Sequence, residues 1–184
     1  MSQKEIKEFV EAQDIDCVWI GDPCYVIPDG LWSNVCEQTF GGKTGANAVE
    51  VGFKIEFTFE QLLKSNCNPE VIKACRNKDF LGFIQCGTMY GDGEYPSSTE
   101  FKYGVDSGSL AIVPDYLIPP EKFYEAKRLG QFLMVSGGIG LETDGKGDFI
   151  FKDKSKVIEE IITGDIEYED DDDEYEFSEG EEDA

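Results

Sequence analysis

The chain contains no histidine among its 184 residues. That absence removes Ser-His-Asp and Cys-His catalysis, His-based metal triads, and the side chain whose charge changes nearest neutral pH. Any chemistry must therefore run on carboxylates, Tyr, Lys or a cation held by carboxylates. Bases are scarce as well, with 16 Lys and Arg against 39 Asp and Glu for a formal net charge of −23. A surface so short of positive charge cannot neutralise phosphates, and direct nucleic-acid binding is not expected. No run approaches the roughly 18 uncharged apolar residues of a membrane span. The N-terminus, MSQKEIKEFVEAQD, lacks a basic region followed by an apolar stretch. Neither a membrane span nor a secretory signal is expected, and the cytoplasm is the default compartment.

A C-x-x-C pair is missing too, although six cysteines stand at 17, 24, 36, 67, 75 and 86. Each lies in an apolar or helix-like segment, so they read as buried thiols rather than disulfides or zinc ligands. What the chain does have is 40% apolar and 12% aromatic residues, enough to bury a core in one α+β domain over 1–164. Thirteen of the acids fall in 165–184, a stretch with no base, which leaves 26 acids against 16 bases in 1–164, a net of −10. The last twenty residues cannot offset their ordering entropy by burial and are expected to form a disordered acidic tail.

The stretch 81–114 organises the remainder. Apolar segments at 81–90 and 109–113 flank the turn clusters Gly91-Asp92-Gly93 and Asp106-Ser107-Gly108, which predicts the centre of an antiparallel sheet whose turns converge on one face. Upstream, Ile6, Phe9 and Val10 at helical spacing predict a short N-terminal helix over 3–12. Residues 17–20 predict a buried strand that turns at Gly21-Asp22-Pro23 and resumes over 24–27. Asp29 caps a helix through residue 40, and the alternation of 48–57 predicts a half-buried strand. Thr58 with Gln61 forms a capping box, and Asn68-Pro69 opens another helix. A helix over 121–129 ended by Gly130, then strands at 131–135, 149–151 and 157–163, complete the pattern. Strands are grouped rather than alternating with helices, which predicts α+β with a mainly antiparallel sheet, sandwich or barrel-like, and about four short helices.

Three motif fragments carry less than they suggest. Gly42-Lys43-Thr44 ends like a phosphate loop, but Glu37 stands where that loop needs its first glycine. Gly137-Gly138-Ile139-Gly140 is not followed by a helix to face a pyrophosphate, and reads as a turn or bulge. Asp144-x-Lys146-x-Asp148 has Lys at the third position of a calcium loop and Ser155 at the twelfth, so its bidentate ligand is missing.

The sharper set is Asp22, Asp92 and Asp106. If their turns meet, three carboxylates share one rim suited to Mg²⁺ or Ca²⁺, two holding the cation while the third positions water. Tyr25, Tyr90, Tyr95 and Tyr103 beside them would supply hydroxyls or a stacking wall for a ligand. The plainer reading makes these ordinary turn aspartates bonding backbone amides and amphipathic strand tyrosines. In the tail, Tyr168, Tyr175 and Phe177 stand among Asp170, Asp171, Asp172, Asp173 and their acidic neighbours. That pattern suits docking on a basic, partly apolar groove of a partner, or mimicry of nucleic-acid charge towards a host nucleic-acid-binding protein, or simple solvation.

The blocks Gly21-Asp22-Pro23-Cys24-Tyr25-Val26, Tyr90-Gly91-Asp92-Gly93-Glu94-Tyr95 and Tyr103-Gly104-Val105-Asp106-Ser107-Gly108, with Leu110 to Pro114 after them, resemble a family of small uncharacterised proteins of bacteriophages and bacteria. The resemblance runs in order over 17–163, with the helical insert at 58–77 and the acidic tail as departures. It implies a compact β-rich domain in a phage or bacterial cytoplasm and brings no catalytic residue. The leading expectation is a non-enzymatic, acidic, phage-type interaction protein that binds a basic host or viral protein as inhibitor or charge mimic. The alternatives are a divalent-cation-dependent enzyme or small-ligand binder on the three aspartates, and a minor virion component.

Overall fold

The structure is a computed structural model that describes residues 8–13, 15–40, 52–136, 138–143, 147–153 and 156–164. Along the chain run β1 (Glu8–Gln13), β2 (Cys17–Gly21), a 3-10 turn (Pro23–Tyr25), α1 (Asp29–Phe40), β3 (Phe53–Glu56), α2 (Phe59–Leu63) and α3 (Pro69–Ala74). There follow β4 (Gly82–Gly87), β5 (Gly93–Tyr95), β6 (Tyr103–Val105) and β7 (Ser109–Pro114). Two more 3-10 turns, Asp115–Leu117 and Pro120–Lys122, lead into α4 (Phe123–Leu129), β8 (Gln131–Met134), β9 (Gly138–Thr143), β10 (Asp148–Asp153) and β11 (Lys156–Ile162).

A five-stranded antiparallel sheet, in the order β3-β4-β7-β2-β8, forms the middle layer. Every residue of β4 and β7 is buried, because both faces of the sheet are covered. Their sequences are therefore near-continuous apolar runs rather than alternations. On one face Trp19, Ile55, Phe83 and Val113 meet Leu31 and Val35 of α1, Leu62 of α2, Ile72 of α3 and Ala126 of α4. On the other, Val18, Ile20, Ile84 and Ile112 meet Leu141, Phe149, Phe151 and Ile161 of a second sheet, β1-β9-β10-β11, together with Tyr95 and Tyr103 of the β5-β6 hairpin. Each fully buried Phe or Ile here contributes about 2 kcal/mol relative to exposure. The α+β, mainly antiparallel architecture is thus present in its sandwich form, since none of these sheets closes into a barrel.

Local chemistry fixes the helix layer. Thr58 and Gln61 make the reciprocal capping box of α2, and the Asn68 side chain accepts from Glu70 N ahead of Pro69 in α3. Gln38 of α1 reaches the outer edge of β3, donating to Glu56 O at 2.8 Å and accepting from Glu56 N at 2.9 Å. That side-chain pair satisfies an edge-strand residue as a neighbouring strand would. No helix among the described residues is long and apolar enough to cross a membrane.

Three expectations need correction. From residue 8 on, the expected N-terminal helix over 3–12 gives way to β1, which pairs antiparallel with β9 from Glu8–Thr143 to Gln13–Gly138, while residues 3–7 lie outside the described residues. Three apolar residues at helical spacing are weak support for a helix that is marginal at this length, and the ladder to β9 wins. The glycine-rich segment 138–140 is the other half of that pairing, a strand joined also by β10 from Gly140 onward, rather than a turn. Residues 24–27 do not resume as strand. Pro23 occupies the first position of a 3-10 turn capped by Asp22, whose side chain accepts from Cys24 N. Gly42-Lys43-Thr44 and residues 144–146 lie outside the described residues.

Gly130 ends α4 in an extended conformation, and its requirement is steric rather than conformational. A Cβ there would stand 2.2 Å from Ile20 O and 2.4 Å from Trp19 Cε2, while the same indole donates from Nε1 to Ala126 O at 2.7 Å. Neither backbone nor a locked ring can retreat. Gly130→Ala is expected to cost about 3 kcal/mol in a urea unfolding titration; a loss under about 0.5 kcal/mol would show that β2 and α4 can separate there.

Candidate functional site

Three of the expected turns do meet. Asp22 is 0% exposed and its carboxylate receives four donors. Oδ1 accepts from Cys24 N at 2.9 Å and Ser107 Oγ at 2.6 Å, and Oδ2 accepts from Asp106 N and Ser107 N, each at 2.7 Å. The end of β2 is thereby tied to the β6–β7 turn. Tyr25 donates its hydroxyl to Asp106 Oδ2 at 2.7 Å. Thr88, after β4, closes the third side: its N donates to Gly108 O at 2.9 Å and its hydroxyl to Gly91 O at 2.6 Å. Gly108 has φ +76, a left-handed value that a side chain would strain.

This junction is not a cation cage. Two carboxylate oxygens offer about four acceptor positions, and at Asp22 four donors already fill them. Asp92 stands exposed in the β4–β5 turn. Among the described residues no three Cys, Asp or Glu side chains stand where they could share a metal ion. Of the expected Mg²⁺ or Ca²⁺ set Asp22, Asp92 and Asp106, Asp22 is a structural acceptor, and the three are not brought together as a group that could share an ion. Nor do the tyrosines form a wall. Tyr95 and Tyr103 are buried in the core, with the Tyr95 hydroxyl donating to Gly91 O at 2.8 Å. Tyr25 is half-buried, and only Tyr90 of the four, 51% exposed, presents its ring to solvent. Burial, then the hydrogen bond to Asp106, raises the proton affinity of Tyr25. Burial, then the charge of Asp22, does the same for the Cys24 thiol.

A second carboxylate escaped the sequence reading. Glu159 of β11 is 0% exposed. Its Oε1 accepts from Ser98 Oγ at 2.9 Å and Thr99 N at 3.3 Å, and its Oε2 from Thr99 Oγ1 at 2.7 Å, Tyr103 Oη at 2.6 Å and Gln131 Nε2 at 2.8 Å. All five donors are neutral. They come from the loop after β5, from β6 and from β8, so one side chain fastens both sheets and the hairpin together. Tyr103 is held protonated by burial first and by its bond to Glu159 second. The only hint in the sequence is that Glu159 shares strand phase with Ile161 and Thr163, both buried.

A cleft of about 460 Å³ opens elsewhere, between the start of β2, the C-terminal end of α3, the turn after β7 and the end of β8. Ile15, Val71, Ala74, Pro114 and Met134 form its apolar walls, and Asp16, Asp115 and Lys78 bring charge to it. Burial raises the Asp115 carboxyl, against the pull of donors at Tyr116 N and the Cys17 thiol, with nearby Asp16 adding to the rise. The two thiols lining the cleft, Cys17 and Cys75, are also raised, chiefly by burial. Met134 is 77% exposed and Val71 41% exposed, so large apolar surface stands in water at this cleft, whose buried lining includes Ile15, Cys75 and Tyr116. The tail residues Tyr168, Asp170, Asp171, Asp172, Asp173, Tyr175 and Phe177 lie outside the described residues.

No family model, no curated protein and no solved structure matches the chain.

Proposed function

We propose that the protein is a non-enzymatic, acidic interaction protein of phage type that binds a basic host or viral protein, as an inhibitor or a mimic of nucleic-acid charge. The observation that carries this reading is the charge balance. Acids exceed bases 39 to 16, and at least six of the bases are engaged by carboxylates or rings of the protein itself. Lys73 pairs with Glu70, Lys122 with Asp29, Arg128 with Glu125 and Lys152 with Glu142. Lys54 lies over the Phe80 ring and Arg76 over Phe59. The field that reaches solvent is negative and steers cationic partners.

The state of the nucleophiles supports binding rather than bond-making. The thiols of Cys17, Cys24, Cys67, Cys75 and Cys86 are all displaced upward by burial, as are the phenols of Tyr25, Tyr103 and Tyr116. An activated nucleophile is displaced the other way. Among the described residues, the carboxylates at 0% exposure, Asp22 and Glu159, have their acceptor positions filled by donors of the protein itself.

The test compares partner capture by the full chain with capture by a full-length variant in which the 13 acids of residues 165–184 become Asn and Gln. The wild type is expected to retain basic proteins at low salt and release them as ionic strength rises, with the variant weaker by about tenfold or more in Kd. Equal recovery by both chains, or salt-insensitive capture of neutral proteins, would remove the charge-based reading.

A further inference from the structure

We propose that the cleft between β2, α3, the turn after β7 and β8 seats an arginine side chain from a basic, partly apolar segment of a partner protein, held by Asp16 and Asp115 and covered by Val71 and Met134. The proposal rests on the reading that the partner is basic, and adds where it docks and by what chemistry.

Size is the first argument. About 460 Å³ falls within the range of clefts that enclose a compact ligand group, and a guanidinium with its three-carbon stem fits such a space. Charge is the second. Asp16 and Asp115 bring two carboxylates to the cleft and Lys78 one ammonium, so the lining carries an excess of one negative charge. The third argument is solvation. Asp115 is half-buried and burial works against its charged form, so a cation seated beside it recovers interaction that water no longer supplies. A guanidinium suits this better than an ammonium, because it is less strongly hydrated and meets carboxylates through two parallel bonds.

The cation is organic rather than a metal. No set of three ligating side chains stands there among the described residues, and raised thiols at Cys17 and Cys75 remain neutral and poor metal ligands. The apolar rim supplies the remaining specificity. Met134 is a flexible, polarizable side chain of the kind that adapts to a partner's surface, and it ends β8, the edge strand of the central sheet. The protein's own acidic tail is a poor occupant, since Asp16 and Asp115 would repel it. A basic side chain with an apolar neighbour matches both the two carboxylates and the exposed apolar side chains of the cleft.

The experiment titrates the full chain with an acetylated, amidated pentapeptide, Leu-Arg-Leu-Arg-Leu, followed by calorimetry and by backbone amide spectra. Saturable binding is expected, with amide shifts concentrated at Ile15 to Cys17, Cys75 and Asp115. The paired exchange Asp16→Asn with Asp115→Asn should weaken Kd about tenfold or more, and Met134→Ser about threefold. Asp16 and Met134 are exposed, and the amide oxygen that Asp115→Asn introduces can still accept from Tyr116 N, so the variants are expected to fold; their amide spectra check this. If the peptide fails to bind by millimolar concentration, or binds all variants equally with shifts elsewhere, the cleft is not the seat, while loss of partner capture on neutralising the tail would still stand. If Leu-Glu-Leu-Glu-Leu binds as tightly as the arginine peptide, the cleft and the basic-partner reading fall together.

Discussion

Replacing Glu159 with alanine is expected to destabilise the protein by about 4 kcal/mol, well beyond the ordinary cost of a point substitution. The carboxylate is fully buried and meets five donors. Removing it leaves the Ser98, Thr99 and Tyr103 hydroxyls, the Thr99 amide and the Gln131 side chain facing a cavity. Hydroxyls can rotate towards other acceptors. Thr99 N cannot, and Gln131 must give up a bond in a partly buried site, so about 1–3 kcal/mol accrues for each group left without a partner. Glu159→Gln is a finer probe, since it keeps the shape and places an amide NH₂ against donors. A loss of about 2–3 kcal/mol is expected there, from lost bonds and apposed donors rather than lost volume. Tyr103→Phe should cost about 1–2 kcal/mol. Combined with Glu159→Ala it should cost at least about 1 kcal/mol less than the two singles added, because both act in one network. Urea titrations of the four chains would measure this cycle. Strict additivity, or a Glu159→Ala loss under about 1 kcal/mol, would mean that water satisfies the site and that the sheets are held by apolar contact alone.

The difference between Asp22, which the sequence singles out, and Glu159, which it hides, shows where local pattern stops carrying information. Turn chemistry is local: Asp-Gly and Asp-Pro pairs mark chain reversals whatever surrounds them, and the apolar runs of β4 and β7 mark a strand buried on both faces. Capping is local too. Asp22-Pro23 bears the same acceptor-then-proline signature as Asn68-Pro69, and both open a helical turn; the apolar letters of 24–27 pointed the other way. Glu159 depends on register instead. Two adjacent acids flanked by apolar pairs leave open which one turns inward. The choice follows from the pairing of β11 with β10, whose register shifts between Phe151 and Lys152. The cleft is harder still. Its lining comes from four separated pieces of chain near residues 15–17, 71–78, 114–116 and 134, and no period or motif joins them before the fold does.

Asp22 gives the second large effect, and one that separates a structural carboxylate from a metal ligand. Asp22→Ala is expected to lose about 4 kcal/mol, since three backbone amides and one hydroxyl lose a shared charged acceptor inside the protein. Asp22→Asn should lose about 2 kcal/mol, one of its two positions now being a donor aimed at donors. Asp106→Asn should lose under about 1 kcal/mol, because that exposed carboxylate accepts one side-chain bond, from Tyr25, and an amide oxygen can take its place. A cation site would make the two Asn variants comparable, and would let millimolar Mg²⁺ or Ca²⁺ raise the melting temperature of the wild type alone. The structural role instead predicts a steep asymmetry between positions 22 and 106 that added cation does not alter. It also predicts faster hydrogen exchange at the amides of Cys24, Asp106 and Ser107 in Asp22→Ala, far apart in sequence and joined only through that carboxylate. Equal losses at the two positions, together with a cation-dependent melting shift, would return the three-turn junction to the metal reading.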